Sequence, residues 1–432
     1  MMELSEHLFR HEHGRMIGVL THLFGVHNLA LAEDVVQDAF CRALEVWKFS
    51  GVPANPSAWL MATAKNRALD ILRRERTARN YAPELGHLLQ TEWTLSPTID
   101  ELFKSQTIAD DQLRMMFTCC NPLLPESSQI ALTLRVICGF SVEEAASAFL
   151  ISQDAMEKRI TRAKKVLAGS RTLFDLKDSD LCNRQSAVLR SLYLLFNEGY
   201  HATSSEIVVR KDICLEAMRL TSLLLHNPTT STPATCALYA LMHLLAARIP
   251  ARMDEDGHIV VLKSQDRTQW SSELIAEGKR LLDLSAEGTE LSEYHIEAAI
   301  AAVHADASSA AETDWEMIIS LYDSLMALAP SPVIALNRAI AVAQLEGPLC
   351  GISAVEEIAD RDRLLHYPFY HAAVGEMQLL AGNCAIAMHC FDEAQLYSRN
   401  ASEKAFFKQR AEVCRIIEME KSDRCIPACQ RE

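Results

Sequence analysis

The chain contains 432 residues, of which 49% are apolar and 23% are charged, and its formal net charge is −15. This composition excludes wholesale disorder and is sufficient for two or three domains with cores of their own. The N-terminal residues mix Glu, His and Arg too early for a secretory signal, and no apolar run is long enough to span a bilayer, so we expect a cytoplasmic protein with no membrane partner.

The negative charge lies almost entirely in the second part of the chain. Residues 1–170 contain 18 Lys and Arg against 20 Asp and Glu, a balance of −2. The residues that follow contain 24 against 37, a balance of −13. We therefore expect two functional parts of different electrostatic character.

Helical periodicity dominates and no series of alternating strands is evident, so the sequence predicts an all-α fold. Residues 1–76 are predicted to form the first domain. Within it, the segment LAEDVVQDAFCRALEVW has an apolar stripe at helical spacing, made of Val36, Ala39, Phe40 and Leu44. The opposite face is polar and carries Asp34, Gln37, Asp38 and Arg42.

The next predicted helix begins at Pro56, because Asn55 can cap it and the proline ring already has a helical φ. Its apolar stripe consists of Leu60, Ala64, Ala68, Ile71 and Leu72. Six Lys and Arg lie between Lys65 and Arg79, against two acids. The helix is therefore amphipathic with a strongly cationic outer face.

This cationic helix follows a loop that bears Phe49 and Pro53. Such a surface can hold separated DNA strands, because stacking of an unpaired base returns about 1–3 kcal/mol. Trp59 at the start of the helix fits this interpretation, but it fits an ordinary core position equally well.

Residues 77–110 lose the strong helical period and are predicted to be a linker. Residues 111–170 are predicted to form a helix-turn-helix domain, in which Ser141 and Glu144 make a capping box and Ser152 caps the second helix. The residues predicted to be buried there are Ala145, Ala146, Phe149, Ile151, Met156 and Ile160. The cations predicted to be largely free are Lys158, Arg159, Arg162, Lys164 and Lys165.

A basic helix is often only a solvated face. Here the cations follow a capped helix and a short turn, which favours a recognition helix that contacts base edges and phosphates in the major groove.

The chain is predicted to stay helical after this domain, with an irregular helical extension over 171–309. Residues 310–424 are predicted to form tetratricopeptide-like helical pairs. The repeat chemistry lies at Ala387, Phe391 and Ala394, and in an earlier unit at Tyr322, Leu325 and Pro330. The polar residues from Asn197 to His201 interrupt an apolar helix, and either a ligand or docking site or a buried structural cluster would explain them.

No nucleophile–base pair, phosphate loop or HExxH motif occurs, so the sequence does not indicate an enzyme. The thirteen cysteines are scattered, and neither the Cys119 and Cys120 pair nor Cys425 and Cys429 is completed to a tetrahedral zinc site. Reduced thiols, without a metal or another cofactor, are therefore expected.

The motifs AEDVVQDAF and PSAWLMATAKNRALDILRR, followed by the helix-turn-helix, resemble a bacterial extracytoplasmic-function sigma factor of the sigma-70 family. The segments LYLLFNEGY, SQDRTQW and ETDWEMIISLYDSLMALAPSPVIALNRAIAV resemble the group with a tetratricopeptide-like C-terminal extension, so the resemblance covers essentially the whole chain. This group usually has His after the double cysteine, where the present chain has Asn121.

The resemblance implies sites for two partners, core RNA polymerase and promoter DNA. The polymerase clamp would be bound by Glu33, Asp34, Gln37 and Asp38, and region 4 would meet the flap surface. The minus-ten element would be bound by Trp59, Lys65, Asn66, Asp70, Arg73 and Arg74. The minus-thirty-five element would be bound by Lys158, Arg159, Arg162, Lys164 and Lys165.

The expected function is therefore that of a sigma factor that directs promoter recognition, melting and initiation and is controlled in cis by its extension, which can have a protein or ligand partner. One alternative is a helix-turn-helix regulator with a helical-repeat sensor that is not a polymerase subunit. Another is a repeat adaptor whose basic helices are incidental. Binding to core polymerase distinguishes the first hypothesis from the other two.

Overall fold

The computed structural model describes residues 2–74, 102–149, 151–169, 176–201, 209–255, 258–398 and 401–424. Over these ranges the fold is all-α, as predicted, with no strand and a single isolated bridge between Met253 and Ile259. The chain divides into two compact units. Unit 1 comprises Met1–Glu198 and Asp212–Ser231, and unit 2 comprises Gly199–Lys211 and Thr232–Glu432.

The first three described helices of unit 1 are α1 (Met2–Phe24), α2 (Leu29–Ser50) and α3 (Pro56–Arg74). Their core is apolar and includes Ile17, Leu20, Leu23, Val36, Ala39, Leu60, Ala64 and Ala68. The predicted cap of α3 is present, since the backbone N–H of Ala58 donates to Asn55 Oδ1 at 3.0 Å. Leu44 was predicted to be on the buried stripe but is 58% exposed, because the core does not reach the last turns of α2 on that side.

Four further helices complete the predicted helix-turn-helix part. They are α4 (Ser105–Cys119), α5 (Glu126–Leu132), α6 (Val142–Ala148) and α7 (Gln153–Ala168). A π-helical turn, Thr133–Ile137, continues α5. Helix α4 begins inside the stretch predicted as linker, so the helical part of this domain is longer than its sequence pattern indicates.

Both predicted caps in this part are present. The N–H of Glu144 donates to Ser141 Oγ at 3.1 Å, and the Glu144 carboxylate accepts the N–H of Ser141 at 2.7 Å. The N–H of Ala155 donates to Ser152 Oγ at 3.3 Å. These bonds satisfy backbone donors that a helix start leaves unpaired, and they fix where α6 and α7 begin.

Helices α8 (Asp178–Tyr200) and α9 (Lys211–His226) follow, and most of both belongs to unit 1. Gln185 donates to the carbonyl of Thr230 at 2.8 Å, which links α8 to the residues that follow α9. Arg184 donates to the carbonyl of Phe117 at 3.0 Å, which ties α8 to α4. The start of the predicted extension therefore packs with the first part of the chain.

Unit 2 consists of antiparallel helical pairs. Its described helices are α10 (Pro233–Ala246), α11 (Ser272–Ser285), α12 (Glu293–Asp306), α13 (Trp315–Leu328), α14 (Pro332–Glu346), α15 (Pro348–Glu356), α16 (Pro368–Leu380), α17 (Cys384–Tyr397) and α18 (Ala401–Arg424). The predicted repeat residues Ala387, Phe391 and Ala394 are buried together with Phe407. The tetratricopeptide assignment itself stays a prediction.

One apolar helix of unit 2 meets the length and composition of a membrane span. It covers Pro233–Ala251, with a mean hydropathy of 1.3. Because 72% of this stretch is buried inside the protein, its apolar side chains are explained by the core of unit 2.

Candidate nucleic-acid interface

Helix α7 has one buried face and one cationic face. Its buried face consists of Met156, Ile160, Ala163 and Leu167. Lys158, Arg162 and Lys165 are exposed, and their spacing of four and three residues places them on one side of the helix. These three side chains can contact DNA phosphates and base edges together, without disturbing the packing of the helix.

Arg159 is half-buried and is held by an aromatic ring. Its guanidinium carbon lies 5.2 Å from the centroid of the Phe149 ring, within cation–π range. Phe149 lies just beyond the end of α6, so the preceding helix orients an arginine of the recognition helix.

The acidic face of α2 is accessible. Asp34, Gln37 and Asp38 are exposed, as predicted. Asp38 accepts a hydrogen bond from Arg67 of α3 at 2.9 Å, but both side chains are about half exposed, so this ion pair contributes little to stability.

The outer face of α3 carries most of the predicted minus-ten residues. Asn66 and Asp70 are exposed and Lys65 is half-buried. Trp59 is half-buried and meets Trp47 edge to face at 5.4 Å, so its position combines packing with partial access. The side chains of Arg73 and Arg74 lie outside the described residues.

The last turn of α2 and the loop before α3 each present one apolar side chain to solvent, and Phe49, which was predicted to lie in the loop, belongs to α2. Phe49 is 88% exposed and Val52 is 52% exposed. Gly51 between them has φ +76°, a conformation that favours glycine, and this turn brings the chain into the loop.

Family models match three parts of the chain. The model for Sigma-70 region 2 matches residues 8–78, and the model for Sigma-70, region 4 matches residues 114–167. The chain belongs to the sigma-70 family. A third model, a family of unknown function (DUF6596), matches residues 184–286.

A bacterial relative covers nearly the whole chain. "Uncharacterized protein R00370" of Rhizobium meliloti (strain 1021) is 40% identical over 413 residues, which are 94% of this chain and 96% of that protein. No solved structure matches the chain. The family match identifies α1 to α3 as sigma region 2 and α4 to α7 as region 4. The sigma-70 domains point to a non-enzymatic initiation factor that binds core RNA polymerase and promoter DNA.

Lys164 of region 4 is not on the free face of α7, contrary to the prediction. Its ammonium nitrogen lies 2.6 and 2.7 Å from the two carboxylate oxygens of Glu33 in region 2. Both side chains are half-buried, with exposures of 27% and 20%. A residue predicted to bind promoter DNA is thus paired with one predicted to bind polymerase.

Three cysteines of region 4 are fully buried: Cys119, Cys120 and Cys138. Burial raises the pKa of Cys120 to about 11, and burial likewise raises the pKa values of Cys119 and Cys138. These thiols are therefore protonated near neutral pH and are poor nucleophiles. Among the described residues, no group of three His, Cys, Asp or Glu side chains could hold a metal ion.

The predicted polar cluster around Tyr200 is built into the packing of unit 2. Arg252 donates to the carbonyl of Tyr200 at 2.7 Å, and its guanidinium lies 3.8 Å from the centre of the Tyr200 ring. Arg248 donates to the Tyr200 hydroxyl at 2.9 Å. Arg252 thus satisfies a carbonyl at the end of α8, which favours the structural explanation for this part of the cluster.

Two glycines of α1 that pack closely against region 4 were not recognised from the sequence: a Cβ at Gly14 would lie 2.2 Å from the carbonyl oxygen of Ile137, and one at Gly18 would lie 2.9 Å from the backbone nitrogen of Gln112. Gly14 and Gly18 have the small-x3-small spacing that permits close backbone approach, and this was the available signal. His13 beside them lies near Arg10, Arg135 and Lys164, and burial together with these positive charges lowers the pKa of His13 to about 3.

The pKa of His13 leads to a prediction about acid stability. Below about pH 6.5 the unfolded chain takes up a proton at this residue, whereas the folded chain does not do so until about pH 3. The free energy of unfolding of unit 1 should therefore decrease as the pH falls from 6.5 towards 3. Urea denaturation at pH 7.5 and 5.5 would measure this. His13→Gln should weaken the pH dependence.

Proposed function

We propose that this sigma factor is of the extracytoplasmic-function type and acts in the cytoplasm. Region 2 binds the polymerase clamp through the exposed side of α2 and holds the melted minus-ten element on α3. Region 4 meets the flap and reads the minus-thirty-five element with α7. The observation that carries the proposal is the capped helix α7, whose exposed Lys158, Arg162 and Lys165 share one face.

The proposed polymerase contact is supported by the exposure of Asp34, Gln37 and Asp38 on one side of a well-packed helix. A complementary basic surface would attract these acids and set the orientation of the complex.

The proposed melting function is supported by the exposed Phe49 at the end of α2 and by the exposed Asn66 and Asp70, which are one turn apart on α3. An exposed aromatic ring can stack on an unpaired base, and amide and carboxylate groups can bond to the edge of a base. Together these groups offer the two kinds of contact that a flipped base requires.

We further propose that the extension, the part after region 4, controls activity in cis and binds a protein or ligand partner. The support is twofold. The extension carries the excess negative charge, and its helices α8 and α9 pack directly on the sigma regions.

Transcription in vitro from a library of genomic fragments, with purified core polymerase, tests the proposed function. Defined start sites that depend on this protein are expected. DNA binding that occurs without polymerase, with no transcription, would instead identify a helix-turn-helix regulator.

Reversal of the charge on the α2 face should abolish polymerase binding. Asp34 and Asp38 are one turn apart, so the double variant Asp34→Lys, Asp38→Lys changes the local charge by four units without touching the buried stripe. Loss of the Asp38–Arg67 pair should barely affect folding, since that pair is exposed.

Co-elution with core polymerase on a sizing column measures this effect. The matched control is Glu316→Lys with Glu346→Lys, an equal charge change at exposed acids of unit 2. Polymerase binding of the α2 variant at wild-type affinity would show that the clamp is bound elsewhere.

A further inference from the structure

Two arginines of unit 2 lie beside the same indole ring. The guanidinium carbon of Arg267 lies 5.1 Å from the centroid of the Trp270 ring, and that of Arg248 lies 5.7 Å from it. Both distances are within cation–π range. Arg248 follows the end of α10, whereas Arg267 and Trp270 belong to the segment SQDRTQW before α11. The polymerase and promoter contacts proposed above use none of these residues.

The two guanidiniums are bonded to neutral oxygens. Arg248 donates to the Tyr200 hydroxyl at 2.9 Å. Arg267 donates to the carbonyls of His304 and Ala307 at 2.7 and 2.6 Å. Within the ranges that the structure describes, no carboxylate forms an ion pair with either guanidinium. Two positive charges are therefore held here without a paired negative charge.

The acid next to Arg267 in the chain does not neutralise it. Asp266 is exposed, and its Oδ1 accepts the backbone N–H of Thr268 at 3.0 Å and the Thr268 hydroxyl at 2.7 Å. Burial and the charge of Arg248 lower the pKa of Arg267, while the exposed Glu312 acts in the opposite direction. The two half-buried arginines thus repel each other, although the extension as a whole has an excess of acids.

Two buried ring nitrogens accompany these arginines. Nε1 of Trp270 and Nδ1 of His304 are buried, and neither has a hydrogen-bond partner among the described residues. Burial and the charges of Arg248 and Arg267 lower the pKa of His304 to about 4, so near neutral pH its ring is neutral and one of its nitrogens carries a proton. Together they form the cationic cluster, which consists of Arg248, Arg267, Trp270 and His304.

An oxyanion would satisfy the groups of this cluster. Its oxygens would accept hydrogen bonds from the indole N–H and from the guanidiniums, which keep N–H groups after their contacts with protein oxygens. Its negative charge would also offset the repulsion between Arg248 and Arg267. Because the two ring nitrogens are buried and the arginines are half-buried, only a small group can reach all of them.

We propose that the cationic cluster binds the oxyanion of a small molecule, which is a phosphate or a carboxylate group. The arginines supply the charge, and the indole N–H of Trp270 fixes the position of one oxygen. This inference rests on the proposed function in one respect, since it makes the ligand partner of the extension an anionic small molecule.

Titration of the full-length protein with inorganic phosphate, and separately with acetate, tests the proposal. The ionic strength is kept constant with chloride, and the indole N–H signals of the five tryptophans are followed by NMR. Trp270→Phe identifies the signal of Trp270. This signal should move saturably with at least one of the two anions, whereas the signals of Trp47 and Trp59 in unit 1 should stay in place. A response to phosphate identifies a phosphate-bearing ligand, and a response to acetate identifies a carboxylate.

Replacement of one guanidinium should weaken this binding. Arg248→Met removes the charge and keeps an apolar stem, so the affinity for the anion should fall by roughly 10-fold to 100-fold, as expected for a lost hydrogen bond between charged groups. Arg280→Met is the matched control, because it makes the same charge change at an exposed arginine of α11. The affinity of this control should equal that of the wild type.

Two results would overturn the proposal. One is a Trp270 signal that does not move saturably with either anion in the wild type, and the other is equal affinity of the wild type and a folded Arg248→Met. The first result needs no variant, so it decides the proposal even if Arg248→Met does not fold. The assay contains no polymerase or DNA, so an anion site would stand even if the transcription assay failed.

Discussion

Removal of all residues after Ser170 is expected to abolish transcription, whereas a chain that ends at Ser231 should keep a folded unit 1. The first truncation deletes α8 and α9, most of which belongs to unit 1. It removes Glu216, the partner of His11, and Arg184, the partner of the Phe117 carbonyl. Buried polar groups that lose their partners each cost about 1–3 kcal/mol.

The same truncation also removes buried apolar side chains, and their contribution to the free energy of unfolding is larger than that of the lost polar contacts. The side chains that α9 buries include Ile213, Cys214, Ala217, Leu220 and Leu224. Full burial of one Ile or Leu side chain is worth about 1.5–3 kcal/mol, and a domain has only about 5–15 kcal/mol of total stability. Deletion of this helix should therefore leave regions 2 and 4 unstable as a pair.

Thermal unfolding followed by circular dichroism measures the stability of both truncated chains, and transcription in vitro measures their activity. The chain ending at Ser231 should unfold cooperatively, and the chain ending at Ser170 should not. If the chain ending at Ser170 folds and transcribes with wild-type rate, promoter choice and salt dependence, control in cis by the extension is excluded.

The local features of this fold are predictable from the sequence because they depend on neighbouring residues. Asn55, Ser141 and Ser152 cap helices where they were expected, since a cap needs only a side-chain oxygen and the next two or three backbone donors. The amphipathic faces of α2 and α7 follow from the helical period for the same reason.

The features that depend on distant residues were not predictable in this way. Periodicity places Lys164 on the polar side of α7, but whether a helix face meets solvent or Glu33 is decided 131 positions away in the chain. The sequence pattern likewise does not show where unit 1 ends, because α8 and α9 are helices like those that follow, and only their packing places most of both in unit 1.

Replacement of both Arg159 and Arg162 in α7 is expected to have the largest effect on promoter binding. Arg162 is exposed, and Arg159 is oriented by the Phe149 ring, so both are held on the side of α7 proposed to enter the groove. A lost arginine–base contact costs about 1–3 kcal/mol, so Arg159→Ala with Arg162→Ala should weaken binding by roughly 30-fold to 10⁴-fold.

A lysine of the same helix is expected to affect DNA binding in a different way from the two arginines. Lys165 is exposed beyond the two arginines, where a phosphate contact is expected, so Lys165→Ala should weaken binding to all sequences alike and reduce the salt dependence by about one unit. Lys177→Ala, at an exposed lysine outside α7, is the charge-matched control. Affinity of the polymerase complex for the promoter and for scrambled DNA, measured at several salt concentrations, separates these effects. Equal losses on both DNAs for the double arginine variant would show that α7 binds phosphates and that sequence is read elsewhere.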